Sequence, residues 1–155
     1  MDMTTLHING QAVETDAAPN TRLLDLLRDG LPDGLRLVGT REGCGANACG
    51  ACHVLIDGKS LAACDTPLWA VEGKAITTVE GLESQLRQTF VDEQAAQCGF
   101  CSSGMLVAAA ALLRVNPQPS DAQVREALDG HLCRCGAHNR IVRAVLRAAS
   151  AKAAP

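Results

Sequence analysis

The chain has 155 residues, of which 47% are hydrophobic and only 2% aromatic; tyrosine is absent and the formal net charge is −3. That length accommodates one ordinary domain or two small ones. With no basic stripe and almost no rings to stack on bases, nucleic-acid binding is excluded.

Thr4 to Ile8 alternates weakly and runs into Asn9-Gly10, a strong hairpin signal, with Gln11 to Thr15 as the return strand. Asn20 or Thr21 is placed to cap a short helix carrying Leu23, Leu24, Leu26 and Leu27 and ending near Gly30. The loop from Gly43 to Cys52 then sets Cys44, Cys49 and Cys52 at the spacing C-x₄-C-x₂-C, and Cys64 follows after an apolar segment. That is the plant-type arrangement for a [2Fe–2S] cluster. Four thiolates converge on one cluster only if the backbone bends tightly, and Gly45, Gly50 and Asn47 tolerate the angles required. A structural zinc site also uses four cysteines, but it favours paired knuckles over this clustered triple. Ala51 to Ile56 reads as a strand, Asp57-Gly58 as a turn, and Lys59 to Ala63 as the partner that delivers Cys64. Ala75 to Val79 is the last expected strand, so residues 1–80 make a small α+β domain.

After Gly81 the texture changes to alanine, leucine, glutamine and arginine. Ser84 to Ala96 is expected to be helical, with Leu82, Leu86, Phe90 and Val91 on one face. Gln97-Cys98-Gly99-Phe100-Cys101 interrupts it, and Ser102 or Ser103 opens a second helix to Arg114. Ser120-Asp121-Ala122-Gln123 is a capping-box signature for a third helix to Leu128. Cys133-Arg134-Cys135 follows, and Asn139 is placed to cap a last helix with Ile141, Val142, Val145, Leu146 and Ala149 as its buried stripe. Residues 81–155 therefore read as a four-helix bundle, with Ala153-Ala154-Pro155 as a frayed tail.

The eight cysteines fall into two groups of four. A disulfide framework implies a secreted chain, yet the start carries neither a positive region nor an apolar run, and no stretch is long enough to span a membrane. Reduced thiols holding metal are the better reading. In the second group, Cys98 and Cys101 lie between two helices and Cys133 and Cys135 between two others, so adjacent junctions bring four thiolates together. Helix N-termini just beyond Cys101 and Cys135 favour anionic sulfur. By spacing alone, zinc, a disulfide and a redox-active C-x₂-C stay open here beside iron–sulfur.

These motifs together resemble the small iron–sulfur subunit of the molybdenum hydroxylases, the xanthine dehydrogenase and aldehyde oxidoreductase family. The resemblance is carried by Cys44-x₄-Cys49-Gly50-Ala51-Cys52 with Cys64, by Gln97-Cys98-Gly99-Phe100-Cys101, and by Leu132-Cys133-Arg134-Cys135-Gly136. Val79-Glu80-Gly81-Leu82 resembles the family's linker, and Cys135-Gly136 with His138 is similar to the branch containing isoquinoline 1-oxidoreductase and nicotinate dehydrogenase. The resemblance implies a ferredoxin-like β-grasp domain followed by a four-helix bundle, each holding one [2Fe–2S] cluster. It implies a large partner subunit holding a molybdenum–pterin cofactor, contacted here by Gln97 and Cys135, with a flavin subunit or a cytochrome among the onward acceptors. Hydroxylation belongs to the partner, so no substrate-activating acid or base is expected in this chain. Two positions depart from the family pattern: Asn47 stands where glycine is usual, and Ser102-Ser103 replaces Thr-Pro.

Other residues have plainer readings. His53 is expected to be an exposed strand residue, His131 and His138 to lie near the cysteines or at the surface, and Arg134 to be solvated or to offset cluster charge. Phe100 and Trp69 are expected to pack, with a subunit interface as the alternative for Trp69 on its connection, and Arg140, Arg143 and Arg147 to form a solvated face. The functional alternatives are a free-standing ferredoxin-like carrier and, more distantly, a zinc-bound interaction module. The expected location is the cytoplasm, unless a partner's signal exports the folded complex.

Overall fold

The Asn9-Gly10 signal closes a hairpin between β1 (Thr4–Ile8) and β2 (Gln11–Thr15) in the computed structural model, which describes residues 3–32 and 35–152. The tail expected at 153–155 lies outside the described residues. Asn9 and Gly10 both take positive φ (51° and 81°), which matches the right-handed twist of the flanking strands. Three further strands follow: β3 (His53–Ile56), β4 (Lys59–Ala62) and β5 (Ala75–Thr77). The sheet order is β2-β1-β5-β3-β4, with β1 and β5 parallel and the other pairs antiparallel. One face is covered by α1 (Leu23–Asp25), which runs directly into a π-helical turn at Leu26–Gly30. Leu23, Leu24, Leu26 and Leu27 are buried there with Leu6, Ile8, Val54, Ile56 and Ile76 of the sheet. This is the expected β-grasp.

Local details differ from the sequence reading. Neither Asn20 nor Thr21 caps α1; the chain enters through Arg22, whose guanidinium bonds both Asp25 oxygens at 2.8 and 2.6 Å. The strands are also shorter than expected. Ala51 and Cys52 belong to the turn that leaves the cysteine loop, and Ala63–Asp65 winds into a 3₁₀ turn that presents Cys64. β5 stops at Thr77, and Val79–Gly81 forms another 3₁₀ turn.

The helical half contains α2 (Ser84–Asp92), α3 (Ser102–Val115), α4 (Asp121–Leu128) and α5 (His138–Lys152). α2 stops short of Ala96 because Gln94 adopts φ 48° and the Ala95 N–H turns back to the Phe90 carbonyl at 2.8 Å, a left-handed helix stop. Val91 leaves the expected stripe and is 68% exposed, whereas Leu82, Leu86, Thr89 and Phe90 are buried. The Ser120 capping box forms with both of its hydrogen bonds, Gln123 N–H to Ser120 Oγ and Ser120 N–H to Gln123 Oε1. α5 begins at His138, so Asn139 lies inside its first turn and accepts from Arg125 instead of capping. Ile141, Val142, Val145 and Ala149 are buried as expected; Leu146 is only partly so. The arginines of α5 do more than face solvent: Arg143 and Arg147 pair with Glu93, Arg147 also with Asp92, and Arg140 donates to the Gln94 carbonyl. Cations thus gather on the C-terminal end of α2, where its dipole favours them.

Two of the contacts that fix the helices to the sheet lie at the joint and under α3. The joint at 78–80 is bonded to the first hairpin: the Thr78 N–H donates to Asn9 Oδ1 at 2.9 Å, Asn9 Nδ2 donates to Thr78 Oγ1 at 3.0 Å, and Glu80 accepts from Thr78 Oγ1 and the Gly39 N–H. Elsewhere α3 lies directly on the cysteine loop. A Cβ on Gly104 would run into the Gly50 carbonyl oxygen, and Ser103 Oγ donates to the Ala51 carbonyl at 3.3 Å. Backbone meets backbone here, so neither side can yield by changing a rotamer. Gly104→Ala is expected to destabilise the chain by about 1–3 kcal/mol or more, whereas Gly130→Ala, whose Cβ meets nothing within 4 Å, should stay within about 0.5 kcal/mol. Urea unfolding followed by circular dichroism measures both.

Candidate metal centres

The first cysteine group surrounds a loop whose amides turn inward. Ala46 and Ala48 N–H groups point at Cys44 Sγ (3.4 and 3.2 Å), and the Asn47 N–H points at Cys64 Sγ (3.4 Å). Asn47 accomplishes this at φ 51°, the left-handed conformation that glycine normally supplies, and its side chain reaches Asp65. The two Cys44 amides favour its thiolate and lower its pKa to about 7. Cys52 sits at the buried end, where desolvation pushes its thiol up to about 12.

The second group repeats this polarity. Cys98 is exposed and the Phe100 amide holds its thiol below the ordinary value; Cys101 is deeper, and burial pushes it up to about 12. Cys101 is the residue from which α3 starts, and the Ala137 N–H, just before α5, points at Cys133 Sγ at 3.4 Å. The expected pair of helix junctions thus stands side by side.

Within each group the thiols approach two by two. Cys44 interacts with Cys49 and Cys52 with Cys64; Cys98 interacts with Cys135 and Cys101 with Cys133. The pairs also sense each other, Cys52 responding to Cys49 and Cys101 to Cys98. None of the eight is in a disulfide. Among the described residues, no three His, Cys, Asp or Glu side chains converge as a single ion requires. Two adjacent thiol pairs would suit the donor set of a dinuclear [2Fe–2S] group, whereas zinc draws four thiolates to one point at about 2.3 Å.

A backbone hydrogen bond joins the groups: the Leu132 N–H donates to the Cys49 carbonyl at 3.0 Å, one residue before Cys133. Arg41, close to the first group, lies over the Phe100 ring of the second, 5.7 Å from its centroid.

Several side chains are not where the sequence placed them. His53 is half-buried, bonded to Ser60 Oγ at 2.8 Å and packed edge-on against His131. His131 is 5% exposed, neither ring nitrogen has a hydrogen-bond partner among the described residues, and burial lowers its pKa to about 4. The only hint of this in the sequence is the small Gly50, which leaves room for the ring. Phe100 and Trp69 do not pack inside; Trp69 is 59% exposed. Arg134 faces solvent. Gln97 is exposed beside Cys98, and the Cys98–Cys135 pairing brings both candidate pterin-contacting positions to the same end of the second group. Cys52→Ser and Cys101→Ser are each expected to lower iron from about four to about two per chain, erasing a different one of two electron paramagnetic resonance signals.

The second group lies within residues 78–146, which match a family model described as a [2Fe-2S] binding domain. A nicotinate dehydrogenase subunit from Pseudomonas putida is 49% identical over 156 residues, covering 97% of each chain. The alpha subunit of isoquinoline 1-oxidoreductase from Brevundimonas diminuta is 46% identical, covering 92% of this chain and 94% of its own. The fold matches a chain of quinoline 2-oxidoreductase from Pseudomonas putida 86 with a TM-score of 0.88 and 38% identity, covering 98% of this chain and 94% of the other. With two paired thiol groups on a β-grasp and a helical bundle, the chain belongs to the family of small [2Fe–2S] iron–sulfur subunits of the molybdenum hydroxylases.

Proposed function

We propose that this chain is the electron-transfer subunit of a molybdenum-containing hydroxylase, passing electrons from the molybdenum cofactor of a large partner subunit to an external acceptor. The observation that carries this reading is the pair of four-thiol groups joined through the Cys49–Leu132 hydrogen bond. Residues 1–80 hold one [2Fe–2S] cluster through Cys44, Cys49, Cys52 and Cys64. Residues 81–155 hold the other through Cys98, Cys101, Cys133 and Cys135. When bound, each cluster supplies a one-electron redox station.

The protein's own part is placement. The amides of Ala46, Asn47, Ala48 and Ala137 direct partial positive charge at the thiols and stabilise them as anions. Ala51 and Ala63, each beside a buried cysteine, are small apolar residues that are themselves buried. Gln97 and Cys135 meet the pterin of the partner's cofactor, making the bundle the entry and the first loop the exit. No residue of this chain activates substrate. A flavin subunit or a cytochrome takes the electrons onward, and the complex works in the cytoplasm. No helix among the described residues is long and apolar enough to cross a membrane.

A free-standing carrier is the second reading. The exposed apolar side chains of Phe100 and Leu132, each next to a cysteine of the second group, suit a covered subunit face better. Purification at native expression separates the two. About four irons and four sulfides per chain are expected, with two reduced-state resonance signals and co-elution with a large chain. Elution alone favours the carrier, and stoichiometric zinc without visible absorption overturns both.

A further inference from the structure

His131 is the most deeply buried ionisable group that plays no part in holding a cluster, and its surroundings lie between the two cysteine groups. Its ring rests on the backbone of Gly50, the residue after Cys49: a Cβ there would fall 2.7 Å from the ring Cγ. Its edge meets His53, the residue after Cys52, with centroids 4.6 Å apart and planes at 72°. His53 is itself tied to β4 through Ser60 Oγ at 2.8 Å. The backbone of His131 is held from both directions, its N–H donating to the Leu128 carbonyl at 2.9 Å and its carbonyl accepting from His138 Nε2 at 3.1 Å. The next residue, Leu132, donates its N–H to the Cys49 carbonyl, and Cys133 follows.

We infer that the His131 ring, backed by His53, is a positioning wedge that fixes the Cys49–Leu132 hydrogen bond and with it the electronic coupling between the two clusters. The inference rests on the electron-transfer reading given above. Its physical basis is shape. A flat ring fits between Gly50 and His53, where Gly50 offers no side chain to push it away, and packing at that density transmits small displacements rather than absorbing them. A hydrogen bond weakens steeply as its angle and length depart from the optimum, so a small shift of the 130–132 backbone alters the bonded route that runs from Cys49 through Leu132 to Cys133. Neither ring nitrogen takes part in a hydrogen bond among the described residues, so the ring works through its outline. His131 is a positioning residue; it holds no iron and moves no proton.

The test uses the iron-loaded complex as purified, with His131→Ala, His131→Phe and His53→Ala. The rate of electron transfer between the clusters is followed after pulsed reduction. The spin–spin splitting of the fully reduced protein and the two midpoint potentials are recorded alongside. His131→Ala is expected to keep about four irons per chain and both midpoint potentials, yet to lose the splitting and slow the transfer. His131→Phe, which restores a flat ring, recovers both. His53→Ala weakens the splitting in the same direction, and it carries the test should His131→Ala lose iron. Wild-type splitting and rate in both alanine variants overturn the inference. So does a phenylalanine variant as impaired as His131→Ala, a result that assigns the effect to the ring nitrogens. A wild-type complex without two distinct iron–sulfur signals fails the electron-transfer reading itself, and so stands apart from either result.

Discussion

The fold depends on how closely α3 can approach the first cysteine loop. Two polypeptide backbones touch there, Gly104 of the helix against the Gly50 carbonyl, and any side chain at position 104 would force them apart. Contact at that range lets Ser103 bond the Ala51 carbonyl and leaves Gly50 free on its other side to receive the His131 ring. The loop is thereby held from two sides by the helical half, even though its own strands belong to the sheet. Most buried hydrophobic residues segregate into one cluster under the sheet and another among the helices, and the crossing of loop and α3 ties the two together.

Within that frame each cysteine group has an electrostatic gradient. The outer thiols, Cys44 and Cys98, meet amide groups that favour the anion, while Cys52 and Cys101 lie where burial disfavours it. A bound iron would resolve the conflict, because a coordinating thiol is deprotonated outright whatever its surroundings favour in isolation. The outer amides would offset part of the negative charge of thiolates held by a metal.

Much of this is legible in the sequence, because spacing and turn chemistry are local. The Asn9-Gly10 hairpin, the capping box at Ser120 and the C-x₄-C-x₂-C loop each depend on neighbours a few residues away, and each forms as the residues imply. What escapes a reading of sequence depends on distant partners. Arg22 displaces Asn20 and Thr21 at the start of α1 because Thr66, far along the chain, supplies the carbonyl that Leu23 needs. α2 ends early because a non-glycine residue, Gln94, enters the left-handed region, and the helix stop is held by arginines from α5. The burial of His53 and His131 could not be read from either residue alone, since each ring needs the other and a glycine between. Trp69 and Phe100 show the converse: a large ring in a chain poor in rings need not be core, and here both face outward.

The bonds between Asn9, Thr78, Glu80 and Gly39 give the joint a character that a linker sequence does not announce. Two modules on one chain ordinarily swivel, and a carrier built that way delivers its charge only as often as the swivel brings donor and acceptor together. With the joint stitched to the first hairpin and α3 pressed on the loop, there is no hinge to wait for. The separation between the two cysteine groups is thus a property of the covalent chain and its packing, and not of where a swivel happens to stand.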